Sequence, residues 1–192
     1  MMQTATDTKT AILERAMALL QSKGYDGFSY KDISGPMGVK NAAIHYHYPS
    51  KTDLGLAMIE RYQGILREKT ATFMAYGGSA REQLEGFIYF TRYECERDRT
   101  ICPLGALSVN IDALDEKVVK ALQRFMKDSH KWLTRVLEVG REQGEVTFEG
   151  NAEQRAWTLL SVFQGARQLV RLHGLETLEA IIEQERAQLG IT

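Results

Sequence analysis

Proline is scarce in this chain, with three residues among 192. Few imide breaks leave long helices free to form almost anywhere. Cysteine is scarcer still: Cys95 and Cys102 are the two copies, too few to build a metal site without partners. In a reducing compartment such a pair stays as thiols rather than a structural disulfide. Long apolar runs are missing too. No stretch reaches the ~18 residues of a membrane span, and the opening MMQTATDTKT lacks the apolar centre of a secretory signal, so a cytoplasmic protein is expected. Neither sign of charge dominates, since 24 Lys and Arg against 25 Asp and Glu leave a net −1. That balance excludes a bulk polycation but not a basic face on a neutral body. There is no glycine-rich phosphate loop, nucleophile motif or clustered ligand set, so an enzyme is a remote reading and no cofactor is expected.

What is present is apolar content, 44% of residues, enough for a sizeable core. It recurs mostly at three- and four-residue spacing, which predicts an all-α protein of about nine helices. The first helix is expected over about Thr8 to Lys23, with Ile12, Ala16, Leu19 and Leu20 inward and Gly24 as the stop. Ser29-Tyr30-Lys31-Asp32 is a capping-box pattern that opens a short second helix. Gly35-Pro36 is expected to end it at once. A third short helix, about Asn41 to Tyr48, is closed by Pro49, and Ser50-Lys51-Thr52-Asp53 caps a fourth that runs toward Phe73. Gly77-Gly78-Ser79 is the next break, and a fifth helix covers about Ala80 to Arg97. Cys102-Pro103 begins a short segment, and a strongly striped helix follows over about Asp115 to Gln143. The last two helices, about Asn151 to His173 and Leu175 onward, carry more apolar surface than one neighbour covers. A four-helix interface between two copies is therefore expected.

From Phe28 to Lys51 the charges are Lys31, Lys40 and Lys51 against Asp32, so 3 − 1 gives +2. Three lysines alone are as well explained as a solvated surface. Order and spacing are more specific. The runs ILERAMALLQSKGYDGFSYKDI and GVKNAAIHYHYPSKTDL, between Ile12 and Tyr62, resemble the N-terminal domain of the TetR family of repressors. The resemblance implies a homeodomain-like helix-turn-helix over residues 1–50 and a helical effector-binding and dimerisation domain over 51–192. It further implies a palindromic DNA operator and release by a small-molecule effector. In the third helix Ile44 and Tyr48 lie four apart and can pack inward, leaving Asn41, Ala42, Ala43, His45, Tyr46 and His47 to meet DNA. By resemblance Tyr46, His47 and Lys51 bind phosphate, as do Ser29, Tyr30 and Lys31, while Lys40, Asn41, Ala43 and His45 read bases. Two departures stand out: Lys40 replaces the usual Ser or Thr cap, and Pro36 a helix-compatible residue. His45 and His47 project about 200° apart on a helix, which excludes a shared metal ion.

For the sensor half, Tyr62, Phe87, Phe90, Met126, His130, Trp157 and Phe163 are candidates to line a mostly apolar pocket, although an ordinary core has the same periodicity. Cys102, at a helix start with Arg97 and Arg99 close in sequence, resembles the reactive cysteine of an electrophile- or oxidant-responsive branch of the family. An inert half-buried thiol is the commoner case for a cysteine so placed. A helical adaptor that binds only protein is the remaining rival, and it predicts no salt-dependent binding to DNA.

Overall fold

A computed structural model describes residues 5–74, 78–98 and 101–191. Gly77 and Arg99 lie outside those residues, as does the side chain of Arg97. The described residues form nine α-helices and no strand. They are α1 (Ala5–Lys23), α2 (Tyr30–Met37), α3 (Asn41–His47), α4 (Lys51–Met74), α5 (Ala80–Asp98), α6 (Pro103–Val109), α7 (Glu116–Glu142), α8 (Ala152–His173) and α9 (Leu175–Gln188). Gly24, at φ 78, stops α1 as its spacing predicts. A short 3-10 turn at Ile111–Ala113, which no apolar periodicity marks, joins α6 to α7.

One expectation fails. Gly35-Pro36 does not end α2, which continues through Pro36 to Met37. In an eight-residue helix Pro36 already lies in the last turn, so the missing amide removes a single intrahelical bond and the proline φ still suits a helix. The stop falls at Gly38, held at φ 65, where the amides of Gly38 and Val39 return to the carbonyls of Gly35 and Ser34, each at 3.1 Å.

The chain divides into two compact units, Met1–Gly64 with Ile101–Gln123, and Ile65–Thr100 with Arg124–Thr192. In the first, α1 packs on α2, α3 and α6 over a core of Ile12, Leu20, Ile33, Ile44, Leu54 and Met58, all fully buried. Gln21 of α1 donates to the Ile101 carbonyl at 3.0 Å just before α6. In the second, α5, α7, α8 and α9 share a core that includes Leu84, Leu133, Leu137, Leu159, Phe163, Leu178 and Ile182. Gly140 permits close packing there, because a Cβ at that position would meet Ala80 and Val146 at 2.9 Å. Two buried ion pairs cross this second core, Arg155–Glu185 and Arg167–Glu94.

Candidate nucleic-acid interface

The starts of α2 and α4, which flank α3 in sequence, are fixed by short-range chemistry. Ser29 precedes α2 in extended backbone, and both its amide and its hydroxyl donate to the Asp32 carboxylate, at 2.8 and 2.7 Å. Those bonds, the side-chain one first, hold the Asp32 carboxyl below its ordinary range. Ser50 and Asp53 repeat the box at α4, with Ser50 Oγ both donating to the carboxylate at 2.6 Å and accepting from the Asp53 amide at 3.1 Å.

Between these caps α3 presents a fixed face. Ile44 and Tyr48 are buried as spacing predicts, while Lys40, Asn41, Ala42, His45 and Tyr46 are exposed, and Ala43 and His47 half-buried. Tyr46 reaches 80% exposure. Lys40 occupies the N-cap position in extended backbone and makes no side-chain cap bond, so the departure at this position leaves the helix start in place and its ammonium outward. Ser34 of α2 donates to Asn41 Oδ1, which clamps the two helices together and leaves the Asn41 NH2 as a two-donor group. The ring of His45 sits 4.7 Å from that of Tyr30, and its Nδ1 lies 3.2 Å from the Pro49 carbonyl. A carbonyl only accepts, so the proton is on Nδ1; in the neutral ring Nε2 is then a bare acceptor. Tyr30 is itself locked, its hydroxyl donating to the Tyr48 carbonyl at 2.8 Å, and burial pushes its ionisation up to about 12.

Lys51 is placed differently from a free phosphate-seeking lysine. Its Nζ donates to the Phe28 carbonyl at 2.8 Å and lies 4.7 Å and 4.8 Å from the ring centres of Tyr25 and Phe28. Burial pulls its ionisation below the ordinary lysine range. Tyr25 returns a bond to the Lys51 carbonyl at 2.8 Å, so this pair latches the start of α4 to the turn between α1 and α2.

Residues 12–58 match the family described as bacterial regulatory proteins, tetR family, and residues 87–184 match the tetracyclin repressor-like C-terminal domain. The chain belongs to the TetR family. Members of that family are transcriptional regulators rather than enzymes. Among solved relatives, a TetR-family regulator from Agrobacterium tumefaciens is 30% identical, with a TM-score of 0.88 over 97% of this chain and 99% of that one. One from Legionella pneumophila is 28% identical, with a TM-score of 0.82 over 95% and 97%. The HTH-type transcriptional repressor NemR of Escherichia coli strain K12 is 25% identical over 85% of this chain and 83% of its own.

The sensor candidates of this TetR regulator fall in both units. Tyr62 and Cys102 belong to the first, both buried, with the thiol 3.6 Å from the phenol hydroxyl. The other six belong to the second. Phe87 and Phe163 meet edge to face at 5.3 Å, and His130 stacks on Trp157 at 4.0 Å while its Nε2 faces the Glu153 carbonyl at 3.0 Å. Phe90 is buried and Met126 half-buried, whereas Trp157 is 46% exposed. Among the described residues no helix is long and apolar enough to cross a membrane, and no three His, Cys, Asp or Glu converge as a metal site.

Sequence reading puts Trp132 on the inward stripe of the seventh helix but not among the sensor candidates, although it lies 6.2 Å from Phe87, and it misses the two buried ion pairs. A signal for the latter existed. Arg155, Leu159, Phe163, Arg167 and Val170 follow one another at four- and three-residue steps, which places both arginines on the inward stripe of α8.

Proposed function

We propose that this chain represses transcription in the cytoplasm as a homodimer that binds a near-palindromic operator and lets go when a small molecule binds. Residues 1–50 form the reading head and 51–192 the effector and dimerisation part. The observation that carries the reading is the outward face of α3, held rigid by the Ser34–Asn41 and Tyr30–His45 contacts. A helix presented this way fits the ~12 Å major groove. Lys40, Asn41, Ala43 and His45 read base edges, with Ala42 allowing close approach. Ser29, Tyr30, Lys31, Tyr46 and His47 hold phosphates, and Lys51 adds its two remaining donors.

Dimerisation is supported by the outer stripe of α8, where Trp157, Ser161, Gly165, Leu169 and Leu172 are exposed at three- and four-residue spacing. Large apolar residues flank small ones, so a second helix could approach closely. On α9, Ala180 and Ala187 are exposed seven residues apart. Two such hairpins make a four-helix interface that sets the recognition helices about one DNA turn, ~34–36 Å, apart. An effector that favours a different spacing releases the operator, with α4 carrying the change.

A second reading makes Cys102 the switch. It is favoured by the contact of its thiol with Tyr62 of α4, because alkylating or oxidising the sulfur would break a buried link to that helix. Replacing Cys102 with serine is expected to leave DNA binding intact and abolish any response to electrophiles; an unchanged response eliminates this switch. For the main reading, selection from a random duplex pool should recover a near-palindromic site. Recovery of no site, or of one unaffected by His45→Ala and Asn41→Ala, would overturn it.

A further inference from the structure

Behind the outward face of α3 lies a buried hydroxyl. Ser34 of α2 is 5% exposed, and its carbonyl accepts from the Val39 amide at 3.1 Å, which ties its backbone to the turn between α2 and α3. A hydroxyl has one hydrogen to give. The Lys31 carbonyl, 3.5 Å from Ser34 Oγ, lies beyond the ~3.0 Å usual for such a bond, whereas Asn41 Oδ1 is close. The hydrogen therefore goes to Asn41.

That bond decides which edge of the exposed Asn41 amide faces out. The group is planar, so with Oδ1 turned back toward α2 the outward edge carries the NH2 alone. The opposite orientation would make the Ser34 hydroxyl an acceptor and leave its own hydrogen only the distant Lys31 carbonyl. Base edges in the major groove distinguish the two. Adenine offers its N7 acceptor beside the N6 amine, and an asparagine reads that pair with oxygen and nitrogen side by side. Guanine offers two acceptors, N7 and O6, which call for donors only. Thymine has a single acceptor, O4, and cytosine an amine. An NH2 presented alone matches guanine best.

We infer that Ser34 is a positioning residue for base recognition: by holding Asn41 Oδ1 it makes that side chain select guanine over adenine at one position of each operator half-site. The inference rests on the regulator reading above and specifies the base chemistry of its operator. His45 does not duplicate the role. Its Nδ1 proton is committed to the Pro49 carbonyl, so the neutral ring would set an acceptor against the acceptors of guanine. Lys40 is the other group able to favour guanine, since its outward ammonium has donors only. A preference supplied by Lys40 would not depend on the Ser34 hydroxyl, and this separates the two.

The test is selection from a random duplex pool by the wild-type full chain and by Asn41→Ala, Ser34→Ala and Ser34→Thr. Asn41→Ala marks the position that Asn41 reads, as the one where base preference disappears. There wild type is expected to hold guanine over adenine by roughly 5- to 150-fold. Ser34→Ala, which frees the amide to turn, should cut that margin by about fivefold or more and leave the rest of the site unchanged. Ser34→Thr, which keeps the hydroxyl, should restore guanine. Replacing that guanine with 7-deazaguanine should weaken wild-type binding, whereas inosine, which keeps N7 and O6, should not. Without DNA, the carbon-13 resonance of the Asn41 side-chain carbonyl should move upfield in Ser34→Ala, because an accepted hydrogen bond deshields that carbon. Any base but guanine at the Asn41 position, no position that Asn41→Ala relaxes, a guanine margin unchanged in Ser34→Ala, an even loss of preference across the whole site, or an unmoved resonance overturns the inference. If the added methyl of threonine unfolds that variant, Ser34→Ala and its resonance still decide. A pool that yields no site for wild type sinks the regulator reading and this inference with it, whereas adenine at the Asn41 position sinks this inference alone.

Discussion

Removing either member of the Arg155–Glu185 pair should destabilise the second unit far more than removing both. The two side chains are 9% and 7% exposed and meet at 2.6 Å between α8 and α9. At an effective dielectric of ~20 their attraction is of order 4 kcal/mol, and desolvating the two ions costs a comparable amount. The intact pair is therefore nearly neutral against an apolar replacement of equal volume. A single deletion leaves a buried charge unpartnered and should cost about 3–5 kcal/mol. For a chain of this size that lowers the melting temperature by roughly 6–20 °C. The two deletions should not be equal. Arg155 Nε is buried without a partner even in the intact pair, so Arg155→Met removes a second unsatisfied group, whereas Glu185→Leu strands the whole guanidinium. Glu185→Leu should be the worse of the two. Thermal and urea unfolding followed by far-ultraviolet circular dichroism, at one fixed protein concentration, gives the four corners of the cycle. A coupling near 3 kcal/mol or more is expected. Two single variants whose losses simply add in the double variant would refute the reasoning.

Three further outcomes follow from the structure. Tyr25 and Tyr30 donate their hydroxyls to backbone carbonyls and are pushed by burial to about 12, so the folded state favours their neutral forms. Stability present below pH ~10 should fall as pH rises toward 12, with the Tyr25 and Tyr30 tyrosinates appearing late in the 295 nm absorbance; their titration near 10 in the folded protein would contradict this. Leu172 is 78% exposed and would occur twice in the symmetric dimer proposed above, so Leu172→Ser should weaken dimerisation by about 2–4 kcal/mol, or ~30- to 1,000-fold, while leaving the protomer folded. Sedimentation equilibrium reads that change, and an unchanged dissociation constant would remove α8 from the interface. For His45, nitrogen-15 spectra of the neutral ring should show the Nδ1–H tautomer, with Nε2 free to accept from an adenine or cytosine amine; a dominant Nε2–H form would undo that assignment.

Much of the fold was legible because helices announce themselves locally. A glycine after a periodic run marked the stop at Gly24, and two Ser-x-x-Asp boxes marked starts at Tyr30 and Lys51. Pro36 misled because a proline's cost depends on how much helix remains after it, which only the Gly38 stop reveals. At the DNA face, exposure of α3 was readable from the four-residue step between Ile44 and Tyr48. The bonds that orient it were not: Ser34–Asn41 and His45–Pro49 depend on side-chain direction rather than spacing. Lys51 shows the same limit, since a lysine beside a helix start reads as solvated until Tyr25 and Phe28 fold over it. Buried charge was the other blind spot. Arg155 and Arg167 lie on the inward stripe of α8, but their partners are on other helices, Glu185 on α9 and Glu94 on α5.

The most direct test is the salt dependence of duplex binding by the purified chain, read as fluorescence anisotropy of a labelled site from about 50 to 300 mM salt. If α3 is a reading head, log affinity falls linearly and steeply with log salt. Lys31→Ala then shallows the slope by about 2 for a dimer, because each phosphate that a lysine no longer neutralises takes ~0.9 off it. Affinity indifferent to salt, or a slope that neither Lys31→Ala nor Lys40→Ala alters, would contradict it.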